Sequence, residues 1–183
     1  MDKSKEFDAV IKMGRTQLQD AVPIRLGQEF HAYASEIRRE TQRFDNAKEE
    51  IRCLNLGGTA IGTGLNADVQ YFHRVVKNMS TLTGEELVQS YDMIDATQNL
   101  DPFVAVSGAI KACAVTLSKI ANDFRLMSSG PRAGFGEINL PDKQNGSSIM
   151  PGQVNTVLPE VGNQVAFNVI GNDVKTQMDT EAG

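Results

Sequence analysis

The sequence predicts an all-α fold, a bundle of long helices. Three long stretches carry apolar residues stepping alternately by threes and fours, which is the spacing of a helical seam. Few stretches read as strands. The polar and glycine-rich material is gathered into segments between the three rods. At 183 residues, 40% hydrophobic and 22% charged, the chain is long enough for a real core and too apolar to be disordered.

The opening residues 2–13 place Phe7, Val10 and Ile11 at helical spacing, with Asp2 or Ser4 as a cap and Gly14 as the stop. Residues 14–23, GRTQLQDAVP, have no helical period and read as a polar connection. The first long helix spans 25–54, with Leu26, Phe30, Tyr33, Ile37, Phe44, Ala47, Ile51 and Leu54 as its seam. At 1.5 Å per residue it is a rod of roughly 45 Å. Its charged residues Glu36, Arg38, Arg39, Glu40, Lys48, Glu49 and Glu50 read as a solvated face.

Residues 57–66, GGTAIGTGLN, hold four glycines in eight residues. A phosphate cradle and close backbone packing both fit, and no GK[ST] follows. Short helices are expected over 68–79 and 85–95, with a turn between them. The second long helix runs over 102–127, with Pro102 in its first turn. Its seam is Phe103, Val106, Ile110, Cys113, Leu117, Ile120, Phe124 and Met127, and its other sides are small or apolar, so it reads as buried among several helices. Residues 128–152 show no period, and an irregular stretch of that length is usually functional. Its first part reads as ordered, with a mobile tip around 145–152. The third long helix, 155–181, carries Val157, Val161, Val165, Val169 and Val174 near one face, interrupted by Asn163, Gln164, Asn168, Asn172 and Asp173. Buried amides need partners, so this helix is expected to face other polar helices. Three rods cannot cover all these seams, so self-association is expected.

Charge and composition narrow the function. A net charge of −5 and a pI of about 5.1 speak against a nucleic-acid or anionic-membrane partner. No apolar run reads as long enough to span a bilayer, and no charged region followed by an apolar one opens the chain. Cys53 and Cys113 both fall within helical patterns and read as reduced core thiols of a cytoplasmic protein. His31 and His73 have no partner at metal-ligand spacing, so no metal is expected.

The stretch NGSSIMPGQVNTVLPEVGN, from Asn145 to Asn163, sets two adjacent serines between Gly146 and the turn Met150-Pro151-Gly152, just before a helix start. By itself it reads as a surface connector. Small anions and reacting groups are also held at such places.

Four segments in this order, GRTQLQDAVP, GGTAIGTGLN, SSGPRAG and GSSIMPGQVN, separated by long helices, resemble the fumarase/aspartase superfamily, and within it the aspartate ammonia-lyases. The resemblance covers nearly the whole chain. It implies a long-helix central domain, a homotetramer formed through a many-helix core, and composite sites built from three subunits. The implied reaction is the reversible deamination of L-aspartate to fumarate and ammonia, without a cofactor. Ser147 resembles the family's catalytic base. Ser148 and the loop amides would hold one carboxylate of a small dicarboxylate substrate and Asn155 the other. Thr16 and Gln17 would contact the substrate, and Glu160 matches an acidic position behind the site. Gln17 stands where fumarases usually carry His. The family's loop reads GSSxMPxKxNP, whereas this chain has Gln153 for the Lys and Thr156 for the Pro. A lost desolvated charge pair costs about 2–5 kcal/mol, equivalent to roughly a hundredfold or more in rate.

The domain organisation expected from this comparison is an opening helix and substrate-contact segment over 1–24, then a central bundle over 25–183 with a mobile loop at 128–154. The chain then corresponds to the middle of a full-length member, as a weakly active or inactive form. Two other functions remain open: a non-catalytic helical assembly module, and a fumarate hydratase of the same superfamily.

Overall fold

The computed structural model describes residues 1–182. Its elements in order are α1 (Asp2–Glu6), β1 (Ile11–Thr16), β2 (Gln19–Arg25), α2 (Leu26–Ile51), β3 (Cys53–Leu54), α3 (Val69–Thr83), β4 (Val88–Gln89), α4 (Asp95–Gln98), α5 (Asp101–Met127) and α6 (Val157–Glu181). The long-helix architecture is as expected, with two small two-stranded sheets added. The chain divides into two compact units. The first comprises Met1–Thr41 and Ala112–Val169; the second comprises residues 42–111 and the chain from Ile170 onward.

The first unit departs from the sequence reading at its start. The helix expected over 2–13 stops at Glu6, and residues 11–25 form an antiparallel hairpin in place of a polar connection. Competition for backbone hydrogen bonds explains the difference. The Phe7 and Val10 carbonyls accept from the Gly27 and Leu26 amides at 3.0 and 2.8 Å, so the chain folds onto the head of α2. Ser4 does not cap α1; its hydroxyl donates to the Gly27 carbonyl at 2.8 Å. A Cβ at Gly27 would lie 2.3 Å from the Ser4 carbonyl oxygen, so only glycine allows this approach.

The core of this unit is Leu26, Tyr33 and Met127, with Phe7, Phe30, Ile120, Phe124 and Ile138 packed against it. Phe30 stacks on Phe124 at 5.6 Å and meets Phe7 edge-on at 5.1 Å. Polar pairs run through the helix contacts. The Tyr33 hydroxyl donates to Asp123 at 2.9 Å, and Thr116 donates to Glu40 at 3.2 Å. Ser118 donates to the Asn163 side-chain oxygen at 3.0 Å, and the Asn163 NH2 donates to Asn122 at 2.8 Å. Glu40 is therefore buried, contrary to its reading as part of a solvated face. A helical period marks the face a residue lies on, but cannot say that a threonine waits opposite.

In the second unit, α3 is capped by Asp68, which accepts from the Gln70 and Tyr71 amides, and ends at Gly84 in the left-handed conformation. The helix expected over 85–95 is absent. Val88–Gln89 instead pair in parallel with Cys53–Leu54, and only the short α4 follows. Cys53 is thus an exposed strand residue and not a core thiol, while Cys113 on α5 is half-buried; both are free. The glycines of 57–66 serve close packing: a Cβ at Gly62 would meet the Met93 carbonyl oxygen at 2.4 Å, and one at Gly58 the Gly62 Cα at 3.0 Å. Asp173 is buried, accepting from Ser107 at 2.8 Å and pairing with Lys111 at 2.5 Å.

Of the polar residues of α6, Asn163 and Asp173 are buried and paired, whereas Gln164, Asn168 and Asn172 are exposed. Val161, Val165 and Val174 are exposed too, with Phe167. On α5, Phe103, Ile110 and Leu117 of the expected buried seam are also exposed. By length and composition α5 is long and apolar enough to cross a membrane, which corrects the reading that no such run exists. Ser107, Lys111, Thr116 and Ser118 on α5 each pair with a polar group of another helix, the pattern of a core helix.

Candidate functional site

All the site residues expected from the sequence lie in the first unit; three local structures there are relevant, and the second carries none of those residues. The first is the tip of the hairpin. Thr16 pairs with Gln19 as the last register of the ladder, leaving Gln17 and Leu18 as a two-residue turn. Both have positive φ, 50° and 64°, as a twist-matched two-residue turn requires. Such turns favour Asn and Gly; a Gln-Leu pair there costs of order 1–3 kcal/mol per residue. Strain of this kind collects where the surroundings hold a side chain for a purpose. Thr16, Gln17 and Leu18 are all exposed.

The second structure is the segment after α5, which holds the hairpin. Residues 128–137 turn back onto the end of the helix: the Glu137 amide donates to the Met127 carbonyl at 2.8 Å and the Gly136 amide to the Ser129 carbonyl at 2.7 Å. The Ser129 hydroxyl donates to the Leu126 carbonyl and accepts from the Phe135 amide. Helix carbonyls left without intrahelical partners are thereby satisfied. The turn delivers Glu137 to Arg15 of β1, whose Nη1 and Nη2 donate to the two carboxylate oxygens at 3.1 and 2.5 Å. Lys12 joins them, 3.1 Å from Glu137 and 2.7 Å from Glu29. The Arg15 guanidinium also lies 3.7 Å from the Phe135 ring centroid. Burial pushes the Glu137 carboxyl up, but hydrogen bonds and charge from Arg15 and Lys12 outweigh it, and the net direction is down. The hydrogen bond to Glu137 raises Arg15 in turn. Sequence reasoning missed this cluster. Arg15 and Glu137 are 122 positions apart and no local pattern joins them.

The third structure is the serine loop. Gly146 and Gln153 form its neck: a Cβ at Gly146 would lie 2.4 Å from the Gln153 carbonyl oxygen. Inside, the Met150 amide donates to the Ser147 carbonyl at 2.9 Å, and the Gln153 amide to the Met150 carbonyl at 3.2 Å. Ser147 and Ser148 are exposed, and the Ser147 hydroxyl accepts only a long contact from the Ile149 amide, 3.4 Å. Glu160 sits exposed in the first turn of α6, where its charge suits the helix dipole.

Within one chain these residues do not converge. Gln153 and Asn155 line a cavity of about 990 Å³ with Asn122, Arg125, Ser128 and Ser129. Gln17 lines a different one of about 350 Å³, with Lys12, Arg15, Tyr33, Lys119 and Asp123. Thr16, Ser147, Ser148 and Glu160 line neither. Among the described residues there is no group of three or more His, Cys, Asp and Glu able to hold a metal ion.

A family model described as lyase matches residues 1–171. The aspartate ammonia-lyase of Bacillus subtilis (strain 168) is 55% identical over 181 residues, which is 99% of this chain and 38% of that protein. The aspartate ammonia-lyase of Escherichia coli (strain K12) is 53% identical over 181 residues, again 99% of this chain and 38% of that protein. Among solved structures, a fumarate lyase:delta crystallin from Brucella melitensis bound to cobalt superposes with a TM-score of 0.95 at 52% identity, covering 100% of this chain and 40% of that one. A class II fumarase from Schistosoma mansoni superposes with a TM-score of 0.90 at 33% identity, covering 100% and 41%. The chain thus spans about two fifths of the length of the relatives it matches.

Proposed function

The chain belongs to the fumarase/aspartase superfamily of lyases, and from that premise we propose that it serves the reversible deamination of L-aspartate to fumarate and ammonia, with Ser147 as the base. Ser147 takes the proton from the carbon beside one carboxylate, and ammonia leaves from the neighbouring carbon. The doubly charged aci-carboxylate formed in between needs fixed donors. Ser148 and the loop amides supply them at one carboxylate, Asn155 binds the other, and Thr16 and Gln17 contact the substrate with Glu160 behind them. The loop at 128–154 closes over the substrate and excludes water. The reaction uses no cofactor, and the enzyme works in the cytoplasm.

The observation that carries this reading is the strained turn at Gln17 and Leu18, at the tip of a hairpin that buried ion pairs latch to the segment after α5. That Gln17 lines one cavity while Gln153 and Asn155 line another supports a site completed by other copies in a homotetramer. The exposed valines of α6 and the exposed apolar residues of α5 offer surface for such an assembly.

Fumarate formation from L-aspartate, followed by its ultraviolet absorbance, tests the activity. We expect turnover that is lost in Ser147→Ala. Fumarate from malate instead would favour the hydratase. A second reading, a non-catalytic assembly module, rests on Gln153, a neutral amide where the family's loop carries a lysine. Assembly without turnover, even at high protein concentration, would favour it. Light scattering on a sizing column checks the assembly itself: a cooperative monomer would contradict the exposed faces.

A further inference from the structure

We propose that Arg125 is a carboxylate-binding residue of the cavity that also holds Gln153 and Asn155. The inference rests on the dicarboxylate reading above and adds the cation that this reading lacks. The cavity of about 990 Å³ is within the usual size of a small-molecule site, and its lining is divided evenly between polar and apolar groups. Its amides and hydroxyls come from Asn122, Asn139, Gln153, Asn155, Ser128 and Ser129, and Asp142 sits on its wall as a carboxylate. Arg125 is its one basic side chain.

Arg125 is one of several cations of this unit without an ion pair, and it is the one that lines this cavity. Lys12 and Arg15 meet Glu137, Arg25 meets Asp8 and Lys119 meets Asp123. Among the described residues the Arg125 guanidinium has no ion pair or hydrogen bond, and Asp142 does not take it. Asn122 is committed on one side only. Its oxygen accepts from Asn163, which fixes the amide and leaves its NH2 available to an acceptor. A planar guanidinium, a fixed amide donor and two further amides around one concavity suit a planar, charged, acceptor-only group, which is a carboxylate. Gln153 can donate to a carboxylate but supplies no charge, so Arg125 supplies the cavity's one positive charge, set against the Asp142 carboxylate.

A plainer role is available: Arg125 lies in the last turn of α5, where a positive charge favours the helix dipole. The two roles predict different results. The isotope-labelled chain is titrated with succinate, following the side-chain signals of Arg125, Gln153 and Asn155 by NMR. We expect saturable shifts at all three, and roughly a tenfold or greater loss of affinity in Arg125→Ala. Arg125→Ala combined with Gln153→Lys moves the charge within the cavity and should recover much of that loss. Affinity of the parent chain should weaken with added salt, and that of Arg125→Ala should respond less. Thermal unfolding of each variant records any loss of helix stability separately.

Succinate binding as tight in Arg125→Ala as in the parent overturns the inference, as does sulfate binding as tight as succinate. Aspartate turnover with an Arg125-independent affinity would sink this inference and leave the proposed reaction standing. Neither succinate binding nor turnover in the parent chain would sink both.

Discussion

Removing Glu137 should unlatch the hairpin from the end of α5. In the folded chain its carboxylate receives two bonds from Arg15 and one contact from Lys12, and the three side chains are only 13%, 12% and 6% exposed. Glu137→Ala leaves two cations in a site with little water, a change that typically costs about 3–5 kcal/mol. Lys12 keeps Glu29 at 2.7 Å, so the lower end applies, about 3 kcal/mol. For a chain of this length that is a fall in Tm of about 6–12 °C. Thermal and urea unfolding followed by circular dichroism measure it. Replacing both partners, as in Arg15→Met with Glu137→Leu, should cost clearly less than the sum of the single changes, because neither charge is then stranded. The pH dependence has a definite sign. Glu137 is depressed in the folded state, so its contribution is present above the ordinary carboxylate range and is lost as pH falls through the lower folded value. The difference between parent and Glu137→Ala should therefore shrink in acid. A loss below about 1 kcal/mol, or a double variant equal to the sum of the singles, would refute the clamp.

Gly146→Ala should disrupt the neck of the serine loop, since its Cβ would fall 2.4 Å from the Gln153 carbonyl oxygen. Aspartate turnover should drop at least tenfold while unfolding stability, in so exposed a segment, moves by no more than about 0.5 kcal/mol; unchanged kinetics would count against the loop's role. Leu18→Gly should relieve the positive φ of the hairpin tip and stabilise the chain by up to about 1 kcal/mol, read from denaturant midpoints; a destabilised variant would show that the turn is not strained. A disulfide reagent should modify exposed Cys53 well before Cys113, whose thiol is pushed up by burial and then by the Glu40 charge, leaving less thiolate at neutral pH. Equal rates at the two cysteines would contradict this.

The helices were legible because their signal is local. The seams of 25–54, 102–127 and 155–181 located α2, α5 and α6 to within a few residues, since each apolar repeat fixes a face without reference to the rest of the chain. The hairpin was not legible. Residues 7–11 carry a short helical period, but backbone bonds to the head of α2 outweigh it, and Lys12 and Arg15 of the first strand pair with Glu137, far along the chain. Cys53 and residues 85–95 were misread for the same reason. A run too short to commit itself was decided by pairing with a distant strand.

The candidate site divides along the same line. Gln17, Ser147, Ser148, Gln153 and Asn155 could be picked out because they sit in segments whose order and spelling match a family. Their surroundings could not. The sequence alone determined three helices, their apolar residues and the segments that match the family, because periodicity and motif are properties of neighbouring residues. Only the tertiary structure decided that Val161, Val165 and Val174 of α6 are exposed while Asn163 and Asp173 are buried, that Glu137 reaches Arg15, and that Arg125 is left unpaired beside Gln153 and Asn155. Each of these is a choice of partner. Whether a polar group is buried, paired or free depends on which distant group packs against it, and that is set when the helices come together.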